Sequence, residues 1–172
     1  MLKAFDEGNG WAAAGIMRVL ATIARSNFAS QMQSQQSDLA HWVDEILTGV
    51  WRYQVRRGVC PLSEISAERA GTLQQENGTL LNYVDQSGSF ADSSSTALLA
   101  ATTFRYSTLT GDTKHDTAAM EALDLVFASI DNDGWLLNTV DPNAWTSRSQ
   151  PGAHSPEGQS FVLLLAAAWE DF

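Results

Sequence analysis

Three stretches of this chain share one plan, and that plan limits what it can fold into. In each, a short polar or glycine-rich head runs directly into a long series of small and apolar residues. The first is Gly8-Asn9-Gly10-Trp11, followed by a run to Ile23 that carries a single charge, Arg18, in its first three turns. The second is Asp92-Ser93-Ser94-Ser95-Thr96, leading into Ala97 to Ala101. The third is Ser155-Pro156-Glu157-Gly158-Gln159, leading into Ser160 to Trp169. A helix that is apolar nearly all round has to be buried on all sides, while its polar head can still reach water. The pattern therefore predicts three buried helices, from Trp11 to about Asn27, from Thr96 to about Thr110 and from Pro156 onward, with their N-termini gathered at one mouth.

Between them lie helices of the opposite kind. From Ser30 or Gln31 to about Tyr53, the residues Leu39, Trp42, Val43, Ile46, Leu47, Val50 and Trp51 recur three and four apart, with a polar face opposite. After Gly111, with Asp112 or Thr113 as cap, Ala118, Ala119, Ala122, Leu123, Val126, Phe127 and Ile130 repeat that pattern. Both read as one-sided outer helices. Two near-copies, Gly78-Thr79-Leu80-Leu81-Asn82-Tyr83-Val84-Asp85 and Gly134-Trp135-Leu136-Leu137-Asn138-Thr139-Val140-Asp141, each join an outer helix to the next inner one and read as short extended links. A polar loop is expected from Asp141 to His154. The order is an internal repeat of helical hairpins. From Thr96 to Ser160 is 64 positions and from Trp11 to Thr96 is 85; the irregular stretch 55–74 accounts for 20 of the 21 extra and reads as an insertion in a single partial domain.

Bulk composition narrows the function classes. The net charge of -10 opposes a sequence-independent grip on nucleic acid or on an anionic membrane surface. The longest uncharged apolar run, Phe161 to Trp169, is too short to span a bilayer, and Asp6 and Glu7 precede any apolar core, unlike a secretion signal. One cysteine, Cys60, allows no intrachain disulfide, and His41 and His115 have no partner pattern for a metal, so neither a metal nor another cofactor is expected. Asp131-Asn132-Asp133 reads as a turn rather than a calcium loop, because no glutamate follows at the required spacing.

The Gly8–Gly15 and Arg18–Ile23 stretches, with Asn82–Asp85, Ser94–Ala101 and Ser155–Leu164, resemble glycoside hydrolase family 105, the unsaturated rhamnogalacturonyl and glucuronyl hydrolases of six-hairpin type. The resemblance implies an all-α fold, part of an (α/α)6 barrel. This chain's roughly five long helices would supply the C-terminal part. It also implies a glycoside hydrolase that hydrates an unsaturated uronic residue of a pectin-like oligosaccharide. In the family, an aspartate upstream of the Gly-Asn-Gly-Trp segment protonates the ring double bond; no stretch here matches it, so no catalytic residue is carried over. Glu7 stands where the family often has an arginine. The residues expected at the sugar are Asn9, Trp11, Arg148 and His154. For Asn9 a helix cap is the simpler role, for Trp11 a core position, and for Arg148 and His154 an ordinary loop position. A second reading stays open, a truncated non-catalytic relative that only binds sugar or pairs with another half-barrel. In either case the bare sides of an incomplete ring predict self-association.

Overall fold

The computed structural model describes residues 6–54, 78–86 and 88–172; the insertion expected at 55–74 lies outside the described residues. Five α-helices are present among them: α1 (Asp6–Ala24), α2 (Gln33–Trp51), α3 (Ser93–Thr110), α4 (Asp116–Ala128) and α5 (Pro156–Glu170). Helix α3 is the centre. It packs against α1 on one side, α5 on the other and α4 behind, and α1 packs on α2. The inner layer is thus α1, α3 and α5, and the outer layer is α2 and α4.

Helix α3 is buried from Ser93 through Phe104, as its all-round apolar sequence requires. Its hydroxyls do not oppose this burial. Thr102 and Thr103 donate to the carbonyls of Leu98 and Leu99, four residues back, at 2.8 and 2.9 Å, so no side-chain donor there is left without an acceptor. Gly111 ends the helix with φ 77° and donates its N–H to the Ser107 carbonyl, as expected of a C-terminal glycine.

Helices α1 and α5 correct the expectation of burial on all sides. Each has a core face, with Ala13, Met17 and Leu20 on α1 and Phe161, Val162, Leu165 and Ala168 on α5. Each also has a bare face, with Trp11 and Val19 about half exposed and Leu163 66% exposed. They flank α3 and have no inner neighbour beyond it among the described residues. On the outer helices the interior positions hold: Val43, Leu47, Val50 and Trp51 on α2, and Ala118, Ala119, Ala122, Leu123 and Val126 on α4, are buried. Trp42 and Phe127, expected on the same faces, are largely exposed at their edges.

The head of α1 is a second correction. Gly8-Asn9-Gly10 is not a turn before the helix but part of its first two turns. Gly10 is there for contact: a Cβ at that position would lie 3.0 Å from Leu98 Cδ2. Its absence lets α1 close onto α3. Asn9, being inside the helix, does not cap it.

The two links are extended, as the near-repeat predicts, and their matching positions are matched in burial. Leu80 and Leu136 are buried, as are Val84 and Val140, and Gly78 and Gly134 both have positive φ, 95° and 88°. The N–H of Leu80 donates to Thr96 Oγ1 and that of Leu136 to Gln159 Oε1, each acceptor sitting in the first turn of the inner helix that follows. The pairings differ. Strand β1 (Leu80–Leu81) pairs antiparallel with β2 (Ala91–Asp92), and β3 (Val140–Asp141) with β4 (Ala144–Arg148). The expected loop 141–154 therefore contains a strand. Its residues are mostly exposed, so the ladder rather than an apolar face holds it, and no alternation marks it in the sequence.

Candidate functional site

The three inner helices begin at one rim. At its centre is Asp92, the N-cap of α3. Its carboxylate accepts from the N–H of Ser94 and Ser95, from Ser94 Oγ at 2.5 Å, and from the N–H of Val140 at 3.0 Å. It is fully buried, and it ties the second link to the head of α3. The hydroxyl of Ser93 adds a bond to the Leu137 carbonyl at 2.5 Å. Beside it Ser155 caps α5 by accepting from the Gly158 N–H at 3.0 Å, with Pro156 at the first helical position and Glu157 in the first turn, all as the sequence implies. Gly158 lets the two heads meet: a Cβ there would lie 3.2 Å from Ser94 Cβ and 3.1 Å from Thr139 Cγ2. Helix α1 joins through Trp11, whose ring meets Phe161 edge-on at 5.2 Å.

Glu7, on the first turn of α1, completes the rim. It is buried to 6% exposure, and its Oε1 has no hydrogen-bond partner among the described residues. Burial, followed by the negative charges of Asp92 and Glu157, pushes its carboxyl up to about 7. Asp92 differs from it in hydrogen bonding: several donors surround its oxygens. Three carboxyl groups thus share the rim, and Glu7 holds a proton close to neutral pH. In the sequence Glu7 stands where a cation is missing. Its chemistry comes from packing across three helices, which no local pattern signals.

This arrangement has a consequence for stability. The folded state binds the Glu7 proton more tightly than the unfolded chain, whose glutamates titrate near 4.5. Stability is therefore greatest below pH 4.5 with respect to this group, and it falls as pH rises through about 7. A shift of this size bounds the loss at about 3 kcal/mol. Urea denaturation at pH 5 and pH 8 is expected to show the wild type weaker at pH 8 by up to ~2 kcal/mol, with the Glu7→Gln variant nearly level between the two.

The residues expected at a sugar divide. Asn9 and Trp11 lie on the first turns of α1, at the rim, Asn9 half-buried and Trp11 half exposed. Arg148 ends β4 opposite Val140, whose N–H is bound to Asp92, and its guanidinium lies 5.8 Å from the centre of the Phe90 ring. It is joined in this way to the link that reaches the rim. His154 is exposed and stacked on Trp135 at 4.4 Å, fixed against the start of the second link. Below the rim, a groove of about 730 Å³ runs down the inner face of the sector, from Trp11 past Arg18 and Arg105 to Arg25 and Asp171. The Asp131 carboxylate accepts from the N–H of Asp133 and Trp135, both at 2.9 Å, which is the turn expected there. No cluster of three metal-ligating side chains occurs among the described residues, and no helix among them is long and apolar enough to cross a membrane.

No family model matches the chain, and no curated protein matches it in sequence. Solved structures do match it. A protein of Klebsiella pneumoniae subsp. pneumoniae MGH 78578, described as a possible member of the GH105 family, superposes with a TM-score of 0.72 at 16% identity, over 98% of this chain and 40% of that one. One from Salmonella enterica subsp. enterica serovar Paratyphi A str. ATCC 9150, described in the same words, gives 0.70 at 15% identity, over 96% and 39%. The fold is a sector of the GH105 six-hairpin barrel. This GH105-like sector spans about two-fifths of the length of those proteins. Its bare faces on α1 and α5 are the two sides at which further hairpins would stand in a closed barrel.

Proposed function

We propose that the rim formed by α1, α3 and α5 is the sugar site of a carbohydrate-active glycoside hydrolase, and that its substrate is a pectin-like oligosaccharide ending in an unsaturated uronic residue. The single observation that carries this reading is Glu7: a buried carboxyl with one oxygen lacking a partner among the described residues, beside two other carboxylates, at the heads of three helices. A ligand group can take the place of that missing partner. A neutral Glu7 can donate its proton to the ring double bond. Water adds to the adjoining carbon, and its proton returns to a rim carboxylate. The hydrated ring then opens and releases the next sugar. A carboxyl that titrates near the working pH suits both halves of this cycle. Trp11, half exposed and one turn beyond Glu7, offers aromatic area for a sugar ring; Asn9 lies between them in sequence, and Arg148 and His154 are held against the second link.

A neutral Glu7 also removes one of three negative charges from a rim meant to receive an anionic sugar, so activity belongs to the acid side of its titration. The test is loss of the ring double bond's ultraviolet absorbance on incubation with an unsaturated uronyl disaccharide. Turnover is expected below pH 7, falling as pH rises through that value, and absent in Glu7→Gln. No loss of absorbance at any pH, even at high protein concentration, overturns the reading in favour of a non-catalytic relative that binds sugar or pairs with another half-barrel.

A further inference from the structure

Two of the three rim carboxyls stand above one aromatic contact. Trp11 lies one helical turn beyond Glu7 on α1, and Phe161 lies one turn beyond Glu157 on α5, so the members of each pair share a face of their helix. The two rings meet edge-on at 5.2 Å. Because α1 and α5 both start at the rim, Glu7 and Glu157 stand one turn above that contact, on the two helices that flank α3. The negative charge of Glu157 reaches Glu7 and is one of the causes that raise it. Their surroundings differ. Glu7 is buried, with Oε1 lacking a partner among the described residues, whereas Glu157 is half-buried and open to water on one side. Asp92, the third carboxyl, is closed to water: it is fully buried, and its oxygens already accept from Ser94, Ser95 and Val140. Glu157 is thus the rim carboxylate that a water molecule can approach beside Glu7.

We propose that Glu157 is the general base of the rim, taking a proton from the water that adds to the ring double bond while Glu7 supplies the proton to the neighbouring carbon. The assignment rests on the hydration reading above and names the carboxylate left open in it. The step balances. The π electron pair of the double bond forms the new C–H bond with the Glu7 proton. The water oxygen bonds to the adjoining carbon and gives up one proton to the Glu157 carboxylate. Glu7 ends the step ionised and Glu157 neutral; return of one proton from Glu157 to Glu7, directly or through water, resets the pair. The division of labour follows from burial. A carboxyl packed out of water beside other negative charges keeps its proton. One that water still reaches, at the positive end of a helix, is well placed as the anion.

The experiment compares the wild type with Glu157→Gln, Glu157→Ala and Glu7→Gln on an unsaturated uronyl disaccharide, following the absorbance of the ring double bond. Glu157→Gln is expected to lose kcat roughly a hundredfold or more, with KM little changed. Glu157→Ala loses as much, and added formate, a small carboxylate that fits the vacated space, restores part of the rate in proportion to its concentration. A purely structural role for Glu157 would not respond to formate. Formate returns nothing to Glu7→Gln, which lacks the proton donor. Circular dichroism verifies the fold of each variant, and Glu157→Gln, which keeps the size of the side chain, carries the test should Glu157→Ala lose it. Wild-type turnover in Glu157→Gln overturns the assignment and leaves the hydrolase reading standing, as does a loss in folded Glu157→Ala that formate does not relieve. A wild type without turnover at any pH overturns both.

Discussion

Gly78→Ala is expected to destabilise the protein by about 3–4 kcal/mol, whereas Gly134→Ala, at the matching place in the second link, costs only about 1 kcal/mol. Both glycines have positive φ, 95° and 88°, so both substitutions meet the left-handed penalty of an L-residue. They differ in what surrounds them. A Cβ on Gly134 would meet nothing within 4 Å, but on Gly78 it would lie 2.4 Å from the Glu121 carbonyl oxygen and 2.9 Å from its carbon. These are backbone atoms of α4 and cannot swing aside. Relief would require the first link to lift off the outer helix. Gln54 holds that junction shut, donating to the carbonyls of Gly78 at 2.9 Å and Ala118 at 2.7 Å. The difference between the two variants in urea denaturation isolates the close approach from the φ penalty they share. Equal costs would mean that the link does not sit against α4 as described.

Asp92→Ala is expected to be the most damaging change at the rim, at about 3–5 kcal/mol. It removes the N-cap of α3, and it strands the N–H groups of Ser94, Ser95 and Val140 and the Ser94 hydroxyl in a fully buried place. Loss of an ordinary surface cap costs roughly 1 kcal/mol; the excess comes from donors that water cannot reach. Asp92→Asn retains an oxygen for the Oδ1 bonds and loses mainly the 3.3 Å contact from Ser95, so its cost is expected at about 1–2 kcal/mol. Asp92→Asn has a second effect that a purely structural role would not produce. It removes the larger of the two charges raising Glu7, and so moves the Glu7 titration downward. A Glu7 titration unchanged in Asp92→Asn would separate the two groups.

The sequence made the layers legible where composition alone decides them. The three-and-four spacing of Val43, Leu47 and Val50 leaves no other face for α2 to bury, and Ser155-Pro156-Glu157 carries its start signal in adjacent residues. Inner helices were harder, because an all-apolar run states that it is buried but not which side is left bare. That depends on which neighbours stand beside α1 and α5, and Leu163 looks like Leu165 until they are placed. Asp92-Ser93-Ser94-Ser95 has the composition of a turn, so the sequence places the start of α3 at Thr96, three residues after the helix begins. The cap is made by a carboxylate that also reaches Val140 in the distant second link. Gly8 and Gly10 misled in the same way: a pair of glycines suggests a turn, and only the proximity of Leu98 explains a glycine inside a helix. Glu7 was the least visible of all. A carboxyl near the start of a chain reads as a solvated charge, and what makes it an acid at neutral pH is the convergence of α3 and α5 upon it.

The proposed chemistry therefore turns on that one proton. Carbon-detected NMR of the side-chain carboxyls, followed from pH 4 to pH 9 with Glu7→Gln used for assignment, measures it directly. The rim described here predicts that the Glu7 carboxyl titrates with a midpoint near 7. A midpoint near 4.5, that of a solvated glutamate, would contradict it and leave the rim without a proton donor at neutral pH.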